Sequence, residues 1–350
     1  MWQIKQMWAM MRKEKTFIAM RDKNMTKNYL QRLFRMLRED KLFSSIYISG
    51  TALSIAFTMV MAISYYVKLA PIYPEVNRMH TYYLKFARFR EKQDETSFLS
   101  GYSRRAAEEW FYKLENVEAV SMERNSDEGG YVRLPDKRGD LHVTAKFTDP
   151  AFFRIYALRF LEGGPLSEAD FESGALTAVI SDKLAKVVFG HDKGVVGQTL
   201  RMSYKDYRIC GVVEEASTLA ESSYAQVYVA YDKEVDEGMG GRLGPIPYMG
   251  EMEATVLVKS EEQADALREE LADITRRYNA SQDAYQLELL EQPISHFRSV
   301  FMLVEDRDFF DSEVVCSLIL ILCVLLIVPG INLCGVIAGR MESRVAEMGG

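Results

Sequence analysis

Residues 314–338 read VVCSLILILCVLLIVPGINLCGVIA, twenty-five residues without one charge. At 1.5 Å per residue a helix of that length covers a hydrocarbon layer about 30 Å thick. A buried helix in a water-soluble domain rarely needs so long a charge-free run, so the stretch reads as a transmembrane helix. Pro329 and Asn332 set it apart from a plain lipid anchor. Proline frees a backbone carbonyl and asparagine adds an amide, and in lipid both need protein partners. These two are the candidate intramembrane functional residues.

A second run, residues 42–67, is also free of charge and lies between Lys41 and Lys68. Within it Gly50, Ser54 and Thr58 fall at i, i+4 and i+8. That stripe of small residues allows close helix approach in lipid, which makes the three candidate helix-packing positions. Ala62-Ile63-Ser64 has the form of a signal-peptidase site, but the run is much longer than the roughly 7–15 residues of a signal core. Ahead of it, Tyr29, Leu30, Leu33, Phe34 and Leu37 share one helical face with arginines around the rest. Residues 26–41 are therefore expected to form an amphipathic helix at the membrane surface. Residues 1–24 carry five methionines and no clear cap. They read either as a basic interfacial helix or as sequence upstream of a start at Met25.

Charge is segregated along the chain. Residues 1–41 hold eleven Lys/Arg against four Asp/Glu, whereas 68–313 hold thirty against forty-four. Basic residues flank the outer ends of both apolar runs, so both termini are expected in the cytoplasm and 68–313 outside it. The acidic middle has no basic stripe, which argues against nucleic-acid binding. Of the four cysteines, Cys210 alone lies in that middle region. It has no partner there for a disulfide, and no zinc-ligand spacing occurs. A strand-like run around Cys210 suggests a buried, inert thiol.

The middle region alternates strand and helix patterns. Ser103 is placed as the cap of a helix to about residue 116, with Ala106, Ala107, Trp110, Phe111 and Leu114 on one face. Residues 178–190 read as strand, Ser181 cap, helix and Gly190 stop. Ser260 and Gln263 form a capping box before a helix with Ala264, Leu267, Leu271, Ile274 and Tyr278 on its apolar face. Residues 237–250 are a Gly/Pro loop. The order suggests a βαβ unit interrupted by an insert at about 148–236. The fold class expected is an α+β extracytoplasmic domain, a porter-like subdomain with an inserted α/β subdomain, flanked by two transmembrane helices.

No phosphate-binding G-x-x-x-x-G-K-[ST] loop, G-x-S-x-G elbow or H-E-x-x-H motif occurs. The four histidines are scattered singly and read as surface or half-buried residues. Glu108-Glu109 and Glu214-Glu215 read as solvated. No catalytic, cofactor-binding or metal-ligating residue is named, and a membrane-anchored enzyme is disfavoured.

Several stretches together resemble the FtsX/MacB-type ABC transporter permeases over about residues 25–350. The tail after the second apolar run, with Arg344, Val345, Ala346, Glu347, Met348 and Gly349, is similar to the approach to the family's E-[IM]-G-x-R element. Residues 147–166 resemble its V-D-P-x-F-F…F-x-F-x-E-G element at Asp149, Pro150, Phe152, Phe153, Phe160, Glu162 and Gly163. Residues 178–202 resemble its V-I-S…L-A…F-G element. The resemblance implies a permease subunit with a MacB-like periplasmic core domain in the inner membrane. It implies a separate ABC ATPase as partner, contacted near Arg344 and Glu347, and another permease copy or a second half of the same machine. Membrane lipid is the remaining partner. The cytoplasmic tail 339–350 is expected to stop short of the ATPase contact, and residues 1–350 are expected to lack the family's third and fourth helices. Transport by this chain alone is therefore not expected. The other class considered is a two-span sensor receptor with an extracellular ligand-binding domain, which should continue into heptads beyond Arg340.

Overall fold

The computed structural model describes residues 41–93, 96–125, 130–135, 139–231 and 246–300, with isolated positions between 319 and 330. The chain divides into two compact units, Met1–Ile63 with Val315–Gly350, and Ser64–Val314.

In the first unit the described part is most of helix α1, Lys41–Leu69, whose last residues belong to the second unit. Its segment Ile48–Leu69 is long and apolar enough to cross a membrane, and most of its large side chains are exposed. Ile319, Leu320, Ile321, Cys323, Ile327 and Gly330 are helical. The rest of the second apolar run lies outside the described residues, as do 1–40 and 331–350.

The second unit is mixed α/β. In chain order, β1 (Thr81–Leu84), β2 (Ala87–Glu91) and β3 (Ser97–Tyr102) lead to α2 (Arg104–Ala106), which widens into a π turn at Ala107–Phe111. Ser103 caps it as expected, its Oγ accepting from Ala106 N. The helix is shorter than the apolar spacing suggested, because the π turn rotates Trp110 and Phe111 inward and ends the run. Next come β4 (Ala119–Asn125), the hairpin β5–β6 (Gly130–Arg133, Asp140–Val143), β7 (Ala145–Thr148) and α3 (Phe152–Ile155). Then follow β8 (Phe160–Gly163), α4 (Glu168–Ser173), β9 (Thr177–Ser181) and α5 (Asp182–Phe189). The strands β10 (Thr199–Met202), β11 (Lys205–Val213) and β12 (Val227–Ala230) complete this part. The chain returns through β13 (Met249–Gly250), β14 (Glu253–Leu257), α6 (Glu261–Ser281), β15 (Tyr285–Glu288), β16 (Ile294–Ser295) and α7 (His296–Val300).

The strands form a long sheet in the order β16-β1-β14-β4-β7-β12-β9-β11-β10-β5-β6, with β8 beside β11, and a smaller sheet β13-β3-β2-β15. Helix α6 buries Ala264, Leu267, Leu271, Ile274 and Tyr278 in a core shared with Leu84, Phe89, Tyr102 and Phe111. That is the face its sequence spacing marks out. A second core gathers Val132 and Val143 of the hairpin, Ile180, Leu184 and Val188 around α5, and Val227 and Val229 of β12. Aromatic α3 (Phe152, Ile155, Tyr156) packs with Val179, Val213 and Tyr228 in a third. The two large portions of the long sheet meet at one narrow seam, where Arg124 and Asn125 of β4 pair with Phe147 and Lys146 of β7.

Candidate functional site

An α-helix ends with backbone carbonyls that have no partner inside it. At the end of α1 these carbonyls are taken by charged and polar side chains of the domain. Arg78, in the 3-10 turn just before β1, donates from Nη1 to Val67 O at 2.5 Å and to Ala70 O at 2.6 Å. Its Nε pairs with Glu75 Oε2 at 2.7 Å. Both partners are buried, at 3% and 2% exposure. The other oxygen of Glu75 accepts from Ser223 N at 2.9 Å and Ser223 Oγ at 2.8 Å. Both oxygens of Glu75 and the Nε and Nη1 nitrogens of Arg78 are therefore bonded, as a buried pair requires of its charged groups. A cation at a helix C-terminus also gains from the helix dipole.

His296 provides a second hold from the other end of the chain. Its Nε2 lies 2.8 Å from Lys68 O and its Nδ1 lies 3.0 Å from Tyr83 Oη. A carbonyl can only accept, so Nε2 carries the proton and Nδ1 accepts from the tyrosine. Burial pushes the imidazole pKa below the usual histidine value, opposed by the bond to Lys68 O. The helix end is thus held by the 3-10 turn leading into β1 and by α7, which are distant in sequence and brought together through the β1–β16 pair.

The turn after α1 reaches further. Asn77 Nδ2 donates to Ile155 O at 3.1 Å, and Ala157 N donates to Pro74 O at 2.9 Å. Tyr73 Oη accepts from Arg159 N at 3.0 Å and donates to Glu214 O at 3.3 Å. One short segment therefore ties the helix end both to β1 and to the α3–β8 region. Beside it a polar cleft of about 390 Å³ is lined by Lys68, Arg78, Tyr83, Lys85, Lys146 and His296, among others.

Two more buried polar groups sit where the sheet portions join. Lys146 Nζ is 2.7 Å from Glu123 Oε2 and donates to Ser222 O at 2.8 Å, and Thr255 Oγ1 donates to the other Glu123 oxygen. Asp149 accepts from Met122 N at 2.9 Å, Phe152 N at 3.2 Å and Tyr112 Oη at 2.7 Å. Tyr231 Oη lies 3.1 Å from that tyrosine oxygen. Burial pushes the Asp149 carboxyl up to about 6 against these hydrogen bonds, which favour the charged form.

The candidates taken from sequence fall elsewhere. In α1, Ser54 Oγ donates to Gly50 O and Thr58 Oγ1 to Ser54 O, each at 2.9 Å, so both hydroxyls are satisfied within the helix. Ser54 is buried, in a helix that is otherwise mostly exposed. Pro329, Asn332, Arg344 and Glu347 lie outside the described residues. Among the histidines, His80, His142 and His191 are exposed, but His296 is buried and doubly bonded, which departs from the expected surface or half-buried position. Glu215 also departs from the solvated reading: it accepts from Ser181 Oγ and Lys183 Nζ, each at 2.9 Å. Cys210 is half-buried with its thiol pushed up to about 11 by burial, in keeping with an inert role. Among the described residues no cluster of three His, Cys, Asp or Glu is arranged to hold a metal. Sequence reasoning missed Glu75, Arg78 and His296. The available signal was a charged pair, Glu75 and Arg78, between an apolar run and a buried strand.

Comparison with known proteins agrees with the sequence resemblance. The chain is 28% identical over 113 residues to the macrolide export ATP-binding/permease protein MacB 1 of Yersinia pestis bv. Antiqua (strain Antiqua), covering 32% of this chain and 17% of that protein. The match thus spans about a sixth of that relative's length. Among solved structures, the extracellular domain of the noncanonic ABC-type transporter YknZ from Gram-positive bacteria aligns at TM-score 0.40 and 16% identity, over 58% of this chain and 99% of that one. The periplasmic region of MacB from Actinobacillus actinomycetemcomitans aligns at TM-score 0.40 and 13% identity, over 58% and 88%. Residues 44–274 match the MacB-like periplasmic core domain, and the chain belongs to that family of ABC transporter permeases.

Proposed function

We propose that the chain is the first part of an ABC transporter permease subunit that converts ATPase motion into movement of an extracytoplasmic domain. The observation that supports this best is the hold on the end of α1 by Arg78, Glu75 and His296. A helix tied to a domain by one flexible linker would swing freely. A helix whose last carbonyls are bonded from two separate elements transmits axial and rotational displacement to both. In this reading α1 and the second apolar run, 314–338, are membrane spans. Both termini are cytoplasmic, 68–313 is periplasmic with a porter-like part and an inserted second part, and the membrane is the inner one. A separate ATPase acts near Arg344 and Glu347, and a second permease copy or half completes the assembly. Pro329 and Asn332 serve inside the membrane, and the substrates are of the exported peptide, antibiotic or lipoprotein classes.

Recovery of the full-length gene product from its own membranes tests the reading. An ABC ATPase should copurify with it, and ATP should alter the mobility of a spin label at Tyr131→Cys. Arg78→Met should keep the ATPase bound and abolish that ATP response. Recovery with a kinase or chemotaxis adaptor in place of an ATPase would support the sensor reading and sink this one.

A further inference from the structure

The two residues that grip the helix end are each followed in sequence by a large, exposed apolar side chain. Met79 follows Arg78 and is 72% exposed, and Phe297 follows His296 and is 61% exposed. Among the described residues from 70 to 300, the only large apolar side chain more exposed is Tyr204, at 88%. Scattered apolar side chains on a surface need no explanation. The position of these two does. The bonds of their neighbours to Val67 O, Lys68 O and Ala70 O hold them at the level where α1 ends.

That level carries its own marks. Tyr65, Tyr66 and Lys68 close the apolar run, with Tyr66 68% exposed. Tyrosine pairs and a lysine at the end of an apolar helix are the residues that settle at lipid headgroups. The 3-10 turn carrying Met79 packs against α7, which carries Phe297, so the two exposed residues sit on adjoining elements beside the end of α1.

We propose that this end of the domain rests on the bilayer, with Met79 and Phe297 inserted at the boundary between headgroups and acyl chains. Insertion at such a boundary is typically about 5–10 Å deep. The inference rests on the reading of α1 as a membrane span and adds a second contact with the same membrane. With Met79 and Phe297 held in lipid, the base of the domain would resist tilting. A push from α1 would then be delivered along the sheet to the inserted part.

Nitroxide labels provide the test, in the full chain with its four cysteines replaced by serine and reconstituted into phosphatidylethanolamine–phosphatidylglycerol vesicles. Labels go separately on Met79→Cys, Phe297→Cys, Phe57→Cys within α1, and Tyr204→Cys. Oxygen, which partitions into lipid, and a water-soluble nickel chelate then compete to relax each label. At positions 79 and 297 oxygen should win, as it does at 57, and the order should reverse at 204. If 57 is oxygen-dominated and 79 and 297 behave like 204, the lipid contact is overturned and the span stands. If 57 also behaves like 204, the span reading fails and the contact falls with it.

Discussion

Single residues in this domain carry opposite pH signatures. Asp149 is pushed up to about 6 from an ordinary value near 3.8. The native state therefore holds its proton more tightly than the unfolded chain between those values. By linkage, its stability contribution is complete below about pH 4 and is lost as pH rises through about 6. The size is roughly 3 kcal/mol, at about 1.4 kcal/mol per pH unit. Asp149→Asn should flatten that descent in denaturant titrations between pH 4 and 6.5, while an unchanged slope would assign it to another group. His296 runs the other way, because burial lowers its pKa. Its contribution is complete above the ordinary histidine value and declines as pH falls below it. Arg78→Met should cost on the order of 3–5 kcal/mol, because it removes the cation paired with the buried Glu75 carboxylate. Pairing it with Glu75→Gln should recover part of that loss, measured as a coupling in a double-mutant cycle. Additive losses would show that the two do not act as a pair.

At the scale of elements, α5 shows why some local structure is legible from sequence. Ser181 Oγ accepts from Leu184 N, and Gly190 closes the helix at φ 82°. Short-range chemistry decides both ends, so sequence alone locates them. Ser181 has a second task that sequence spacing does not reveal: it donates to Glu215, thirty-four residues on. Ser181→Ala should therefore cost about 2 kcal/mol by thermal unfolding, a cap's ordinary share plus a charge-assisted bond. A loss of only a few tenths would mean that the Glu215 bond contributes nothing. The same division separates the apolar face of α6, plain in its spacing, from Lys146 on β7. Lys146 is buried because long-range sheet pairing brings it to Glu123, and strand alternation gives no warning of that. His296 and Arg78 were illegible for the same reason, since their partners lie 228 and 8–11 residues away along the chain. On the reading of Gly50, Ser54 and Thr58 as helix-packing positions, Gly50→Leu should weaken assembly of the membrane part and leave unfolding of residues 64–300 unchanged.

If the proposed function holds, the decisive question for the whole molecule is how a displacement at residue 69 would reach β12, far along the sheet. Two routes leave the helix end. One passes from Arg78 and His296 into β1 and β16, and then through β14 and β4 to the narrow β4–β7 seam. The other passes through Tyr73, Pro74 and Asn77 straight to residues 155–159, whose helix α3 packs on Tyr228 of β12. The second route is shorter and crosses no sheet seam, so it is expected to be the stiffer one. Backbone amides that take part in a local opening exchange faster than those reporting only global unfolding. Tyr73→Phe with Asn77→Ala should thus raise hydrogen exchange at residues 155–160 and leave α6 and β14 at their original protection, since no backbone hydrogen bond among the described residues joins either element to residues 73–77 or 155–160. Arg78→Met should raise exchange in α7 and the start of β1 as well. A uniform increase across the domain in both variants would mean that the helix end stabilises the fold as a whole, and that separate routes for displacement do not exist.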